Sequence, residues 1–234
     1  MIKTTDLIYL VDYMKVLSWN ILAEEWIDKA DYKDIDEAIL FDRDARFKNI
    51  CKIINDINPD VLLLQEVMML EYEKLVKLLG LTFHISEINP IWGAESGNIS
   101  LFRKSMFTND IRHVMYSFGT ISYCNICSFI NVHLDDESIH KRRNQMNEIK
   151  LLTPMRKCVI GGDFNHQYRK DGLFYKLKNF RIMNKTKQTY YIDRNVNIDN
   201  ILLKGLTGVF IPLDYPDKME VLGSDHLPIL VECQ

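Results

Sequence analysis

Eight polar residues stand where apolar runs of this sequence end or begin. They are Asn20 after "VLSW", Glu66 after "VLLLQ", His133 after "SFINV", Asp163 and Asn165 after "CVIGG", Asp199 ahead of "NILL", and Asp225 with His226 ahead of "LPIL". Any one of them alone is more often a turn or cap residue. Strand ends of a layered sheet converge on one crevice, however, so these groups can meet despite lying far apart in sequence. Their joint chemistry is coherent. A carboxylate with amide support suits a hard cation such as Mg²⁺, which keeps several waters for its substrate. Two histidines can hydrogen-bond a phosphoryl oxygen, and Asp163 can orient or deprotonate an attacking water. There is no Cys/His cage at zinc spacing, no HExxH, no P-loop and no GxGxxG. Zinc and nucleotide cofactors of those kinds are therefore disfavoured.

The elements that must carry these residues follow from periodicity. "MKVLSW" reads as a buried strand ending at Asn20, and the acidic stretch from Ile21 to about Asp42 as a loop with a short helix. In "DRDARFKNICKIINDI" the residues Phe47, Ile50, Ile54 and Ile57 recur at helical spacing. "VLLLQ" is a central strand ending at Glu66, and a second helix from Met69 to Leu79 stops at Gly80, read as a C′ glycine. Strands are expected at about 81–86, 98–103, 111–117 and, as one long strand, 120–132. "ESIHKRRNQMNEIKLL" makes a basic helix, "KCVIGG" a strand, "DGLFYKLKNF" a short helix, and "IDNILL" and "LPILVEC" the last strands. Strands alternate with helices early and late but cluster in the middle, which favours sheets covered by helices over a plain doubly wound fold. No repeat, low-complexity tract or Pro/Gly-rich linker suggests a domain cut. The expected division is a leader over 1–13 and one domain over 14–234.

Composition adds limits. The formal net charge of −3 does not mark the chain as a general polyanion binder, so any such role falls to local basic clusters. The five scattered cysteines, with no secretory segment before them, point to reduced thiols in an intracellular protein, cytoplasmic or nuclear and not secreted. Cys124 and Cys127 fall within the run read as one strand, where residues three apart face opposite ways, so a metal pair is disfavoured. The apolar run near the N-terminus is broken by Asp6 and Asp12, and no segment reaches membrane-spanning length.

Taken in order, "LSWN", "PDVLLLQEV", "GNISLFRK", "FINVHLD", "VIGGDFNH", "NIDNILL" and "GSDHLPIL" resemble the endonuclease/exonuclease/phosphatase superfamily of metal-dependent phosphoesterases. The resemblance runs from about Lys15 to the end. It implies an α/β fold, a four-layered sandwich of two mixed β-sheets packed face to face and flanked by helices, with the site at one edge. It also implies roles. Glu66 looks like the principal Mg²⁺ ligand, Asn20 its support and Asp225 a further metal-side carboxylate. His226 matches the phosphate-contacting histidine and Asp199 the acid that orients it. Asp163 and Asn165 match the pair that positions the nucleophilic water and contacts the scissile phosphate, and His133 matches a second phosphate-binding histidine. Leu22 stands where abasic-site endonucleases carry an acid, and Glu95 is the candidate partner for His133. One Mg²⁺ is expected, with a second ion or Mn²⁺ as the variants.

The implied reaction is hydrolysis of a phosphodiester in nucleic acid, RNA or DNA, including the 3′ to 5′ mode on RNA, by a monomer without membrane or nucleotide cofactor. The alternatives are an inositol-phosphate or sphingomyelin-type phosphoesterase and a catalytically inactive binding module. "WNILAEEW" resembles the start of the deadenylase and nocturnin branch, whereas "HLDDESIHKRRNQ" is similar to smaller members and the tyrosyl-DNA phosphodiesterase branch. Lys141, Arg142 and Arg143 either track a phosphate backbone or form a solvated helix face, the commoner case. Trp26, Trp92, Tyr190 and Tyr191 are candidates for stacking on bases, with Trp92 the preferred substrate contact. In "GGDFN", Phe164 is expected to turn into packing while the paired glycines let backbone lie close to the metal–phosphate site.

Overall fold

A strand that is apolar on both sides must be covered on both faces. Val16, Leu17 and Trp19 in Met14–Asn20 (β1), and Leu62, Leu63 and Leu64 in Val61–Met68 (β2), are all fully buried. In the computed structural model, which describes residues 13–90, 93–108, 110–153, 156–168, 172–191 and 196–234, these two strands form the parallel centre of a seven-stranded sheet. Its other strands are Phe83–Ile85 (β3), Asn89–Pro90 (β4), Ser96–Arg103 (β5), Gly208–Ile211 (β12) and Ile229–Cys233 (β13), in the order β12-β13-β1-β2-β5-β3 with β4 beside β5. A second, six-stranded sheet holds Arg112–Tyr116 (β6), Gly119–Tyr123 (β7), Ser128–His133 (β8), Cys158–Asp163 (β9), Arg181–Ile182 (β10) and Asp199–Lys204 (β11), in the order β10-β11-β9-β8-β7-β6.

Side-chain alternation builds the layers. Val16 and Leu63 face the other sheet and pack with Phe102, Phe129, Val159 and Ile201. Leu17, Trp19, Leu62 and Leu64 point outward and pack under the helices Arg43–Ile57 (α2) and Met69–Leu79 (α3). Outside the second sheet, helix Ile139–Leu152 (α4) and a 3₁₀ turn at Leu173–Leu177 cover Ile130, Ile160 and Leu202. Two short helices, Glu37–Leu40 (α1) and Met219–Leu222 (α5), complete the layer over the first sheet. The result is the four-layered sandwich of two mixed sheets that the motifs imply.

One edge of the sandwich collects the polar strand ends. β1 is parallel to β2, and β8 is parallel to β9, so Asn20, Glu66, His133 and Asp163 all leave at the same end. β11 and β13 run antiparallel to these strands, so their starting residues lie at that end too; Asp199 is directly paired with Asp163.

Four expectations change. The run 120–132 is a hairpin, not one strand: β7 and β8 are joined by a turn over Cys124–Cys127. Cys124 Sγ donates to the Cys127 carbonyl at 2.9 Å there, and both thiols are free, so the opposite-face argument does not apply to them. β2 does not end at Glu66 but passes through a bulge at Gln65 and Glu66 to Met68. Gly80 caps α3 with ordinary right-handed φ of −61°; glycine suits it because a Cβ would lie 2.5 Å from the Val76 carbonyl oxygen. The paired glycines do not border the metal–phosphate site. A Cβ at Gly161 would meet Leu63 of the facing sheet at 2.7 Å, and one at Gly162 would meet the Val132 carbonyl of β8 at 1.9 Å. Phe164 is fully buried 5.0 Å from Phe174, as alternation requires.

Gly162 also holds φ of +149°, a region that side chains rarely adopt. Gly162→Ala should therefore lower stability by about 3 kcal/mol in urea unfolding, strain and the β8 clash acting together.

Candidate active site

The site is assembled by backbone devices as much as by strand order. The bulge in β2 places Glu66 at φ +57°, a left-handed conformation unusual for a non-glycine residue. Such strain persists only where the surroundings over-determine it. Here Asn20 Nδ2 donates to Glu66 Oε1 at 2.6 Å and the Ala23 N–H to Glu66 Oε2 at 2.9 Å. Leu22 (φ +57°) closes that turn by donating its N–H to Asn20 Oδ1 at 3.0 Å, so it serves the loop that binds Glu66 and brings no acid. Asn165 (φ +45°) donates its N–H to Asp163 Oδ1 at 2.7 Å and its side-chain amide to the Leu134 carbonyl at 2.8 Å.

All eight strand-end residues meet. Asn20 Nδ2 also reaches Asp163 Oδ2 at 3.2 Å. His133 Nε2 lies 3.7 Å from Glu66 Oε1 and 3.9 Å from Asp163 Oδ2, and His226 Nε2 lies 3.8 Å from Asp163 Oδ2 and 3.9 Å from Asp225 Oδ1. His226 Nδ1 is held by Asp199 Oδ2 at 2.9 Å. The two imidazole edges thus face a shared carboxylate. Glu95 is exposed and tied through its N–H to Glu25; among the described residues, Glu66 and Asp163 are acids that face His133. Asp163, Asp199 and His226 offer ligand atoms within 4.8 Å of one another, a cluster able to hold a metal ion, although its closest pair is already joined by the Asp199–His226 hydrogen bond.

Burial sets the protonation pattern. Desolvation, aided by the charge of Asp225, pushes Glu66 up to about 7. Desolvation and Asp199 likewise raise Asp163. Desolvation and the neighbouring His226 lower His133 to about 3, keeping it neutral. Burial also works against a charged His226, but Asp199, Asp225 and Asp163 outweigh it and raise its pKa well above the usual value. The two histidines therefore differ: one is an imidazolium, the other a neutral ring.

The sequence profile of the Endonuclease/Exonuclease/phosphatase family matches residues 17–226. The chain belongs to this family. It is accordingly a phosphoesterase, a hydrolase of phosphoric esters. Searching curated protein sequences gives no match. Solved family structures share the fold at low identity. An endonuclease/exonuclease/phosphatase protein from Bacteroides vulgatus is 17% identical, with TM-score 0.67 and coverage of 95% of this chain and 98% of that one. TDP2 from D. rerio, humanized by 14 mutations, is 15% identical, with TM-score 0.66 and coverage of 95% and 99%. ANGEL2, described as a 2′,3′-cyclic phosphatase and solved in complex with adenosine-2′,3′-vanadate, is 16% identical, with TM-score 0.68 and coverage of 95% of both chains.

Further residues support this cluster from behind, and nothing in the sequence singled out three of them, Tyr32, Ser224 and Thr189. Tyr32 donates its hydroxyl to Asp225 Oδ2 at 2.7 Å from within a small core with Leu22, Leu40 and Met219. Ser224 bonds the Asn20 carbonyl at 2.7 Å, Thr189 Oγ1 accepts from the Asp199 N–H at 3.0 Å, and Tyr190 lies with its ring 4.9 Å from that of His226. Tyr191 donates its N–H to the Asp225 carbonyl at 3.2 Å and packs against the first-sheet core. Trp26, 44% exposed, donates to Ser96 Oγ at 3.2 Å on the turn that follows Ala23. Trp92 lies outside the described residues. His166 is buried with its ring 6.3 Å from that of Phe174.

Arg46 is the largest omission. Its guanidinium donates to the Gly223 carbonyl at 2.8 Å, to those of Leu40 and Ile21 at 3.3 Å, and to that of Leu22. It clamps the loops that carry Glu66's donor and Asp225, while burial lowers its pKa and Asp225 supports its charge. A signal for it existed, because Arg46 falls on the stripe of Ile50, Ile53 and Ile57, where a charge needs partners. Arg46→Met should cost about 3 kcal/mol in thermal or urea unfolding by stranding buried carbonyls, and Arg46→Lys should recover little, since one ammonium cannot span three segments.

Proposed function

We propose that this phosphoesterase is a Mg²⁺-dependent phosphodiesterase acting on nucleic acid by direct attack of water. The observation that carries the reading is a cluster of four carboxyl groups with few cations to meet them. Glu66, Asp163, Asp199 and Asp225 surround a single charged imidazole, and Asp199 Oδ1 and Asp225 Oδ1 are buried without a hydrogen-bond partner among the described residues. Carboxylate oxygens so placed destabilise a fold unless a cation meets them. An oxygen-rich donor set without thiolates fits a hard dication. Glu66, with Asn20 and Asp225, would hold it. When bound, Mg²⁺ neutralises charge on the leaving oxygen.

The chain's own groups supply the rest. Asp163, its Oδ1 fixed by the Asn165 N–H, presents Oδ2 between both histidines and accepts the proton of the attacking water; its raised pKa suits a base. His226 donates from Nε2 to a phosphoryl oxygen as an imidazolium, with Asp199 on Nδ1 fixing ring and tautomer. His133, neutral, offers one further donor. Asn165 keeps one side-chain N–H beyond its bond to Leu134 for the same phosphate. Nucleic acid as substrate is favoured by the fold relative solved with adenosine-2′,3′-vanadate and by the exposed Trp26 ring three residues beyond the Glu66-binding Ala23.

A substrate panel tests this: single-stranded RNA and DNA, a 5′-tyrosyl oligonucleotide, an inositol phosphate and sphingomyelin, each with Mg²⁺ or EDTA. Nucleic acid should be cut only with the metal, and Glu66→Gln and His226→Ala should each slow cleavage about 10²–10⁴-fold without unfolding. Wild-type-like turnover by His226→Ala, or cleavage confined to the inositol phosphate and sphingomyelin, would overturn the proposal.

The charge argument also predicts a pH effect on the metal-free protein. Glu66 titrates at about 7 when folded against an ordinary value of 4.5, so between these values the folded state holds a proton the unfolded chain has lost. Stability then falls as pH rises through this window, by about 3 kcal/mol for this group, and stays low above it. Protein in EDTA should melt at lower temperature at pH 8 than at pH 5. Glu66→Gln should remove that share of the difference, and Mg²⁺ should restore the melting temperature of the parent at pH 8.

A further inference from the structure

We propose that the seam between α4 and the 3₁₀ turn Leu173–Leu177 is a binding track for single-stranded nucleic acid leading away from the active site. This rests on the nucleic-acid reading above. The basic residues that first suggest phosphate binding are already engaged. Lys141 pairs with Asp135 at 2.9 Å, and Arg142 donates to the Asp135 and Asp136 carbonyls at 2.7 and 2.8 Å, fixing the loop beyond His133. The positive surface lies further along. Residues 150–187 carry ten Lys and Arg against two Asp in a chain whose net charge is −3, so charge is strongly segregated.

Arg143, Asn147 and Lys150 recur at i, i+4 and i+7 on α4, one stripe beside its buried face. The turn 173–177 lies against that stripe, because Lys176 Nζ donates to the Arg143 carbonyl at 3.2 Å and to Asn147 Oδ1 at 2.8 Å. At the far end, Lys150, Lys176, Lys178 and Lys204 line a cavity of about 380 Å³ with no carboxylate among its described lining residues. Beside it, sharing Tyr175, Lys178 and Phe180, is a cavity of about 150 Å³ whose further walls include Tyr168 and Phe174. Lys176 is held as above, and Lys204 Nζ donates to the Thr153 carbonyl at 2.7 Å. The exposed Lys150 and Lys178, next to an aromatic-walled space, are therefore the ammonium groups that suit a phosphate and its adjoining base. Lys204 and Asp199 bound the same strand, β11, so the cavity lies about 17 Å from the site, a span of about five stacked nucleotides. A dinucleotide cannot reach it; a 12-mer can.

The test compares those two substrates in the full-length protein. The double variant Lys150→Glu/Lys178→Glu changes exposed side chains and should raise KM for a single-stranded 12-mer about tenfold or more, leaving kcat/KM for a dinucleotide unchanged. The salt dependence of 12-mer affinity, read by fluorescence anisotropy in EDTA, should flatten by about 1.4 in log–log slope for two lost phosphate contacts. Tyr175→Ala, at the 72% exposed ring, should weaken 12-mer binding about fivefold or more. Unchanged 12-mer affinity and slope, or equal losses on both substrates, would overturn the track. So would retained 12-mer affinity with lost binding to phosphatidylserine vesicles, which would make the surface a membrane contact. Because binding is read without turnover, a protein that holds the 12-mer through these lysines but cleaves neither substrate would sink the proposed reaction and leave the track standing.

Discussion

Like charges buried together repel, and the organisation of this protein follows from having four carboxylates at the end of one sandwich. Glu66, Asp163, Asp199 and Asp225 converge around the charged His226 imidazole, with the buried Arg46 guanidinium as a further cation toward Asp225 and Glu66. In water such groups would separate; here strand ends fix them. The left-handed backbone at Leu22, Glu66 and Asn165 is part of the same arrangement, since each bends the chain so that an N–H or amide reaches a carboxylate or its support. Strain and repulsion together leave the site suited to a cation in a way that a relaxed edge would not be.

Holding that arrangement requires a rigid frame, which the two sheets provide. Asn131, between the sheets, accepts from Gln65 Nε2 at 2.7 Å and donates to the Leu64 and Ile99 carbonyls at 3.0 and 2.7 Å. The β2 bulge that exposes Glu66 is thereby tied to the strand that carries His133. Arg46 does the equivalent on the outer side, where one buried guanidinium fastens loops separated widely in sequence. Both are polar groups in apolar surroundings, and both are satisfied, which lets them specify geometry as well as add stability.

Much of the fold was legible because local rules and tertiary need agree. The apolar stripe of α2, the fully apolar β1 and β2, and the span of α3 all follow from hydrophobic period. The β7–β8 hairpin was hidden because its turn, Cys124 to Cys127, contains neither Gly nor Pro and sits between two β-prone runs. The basic helix left two readings open for a different reason: the partners of Lys141 and Arg142 are set by how the loop after His133 folds back.

The sequence by itself determined which groups could do chemistry and at which strand ends they stand, because hydrophobic periodicity ends abruptly at each of them. It also determined the layered α/β class, since runs apolar on both faces need cover on both. Only the tertiary structure decided how those groups meet. The assignment of one charged and one neutral imidazole depends on distances of 3 to 4 Å between residues from different sheets. The left-handed turn that aims Glu66 depends on a bulge whose register is read only against β5. Tyr32 and Arg46 reach their partners across 193 and 177 residues of chain, a pairing that no local pattern encodes.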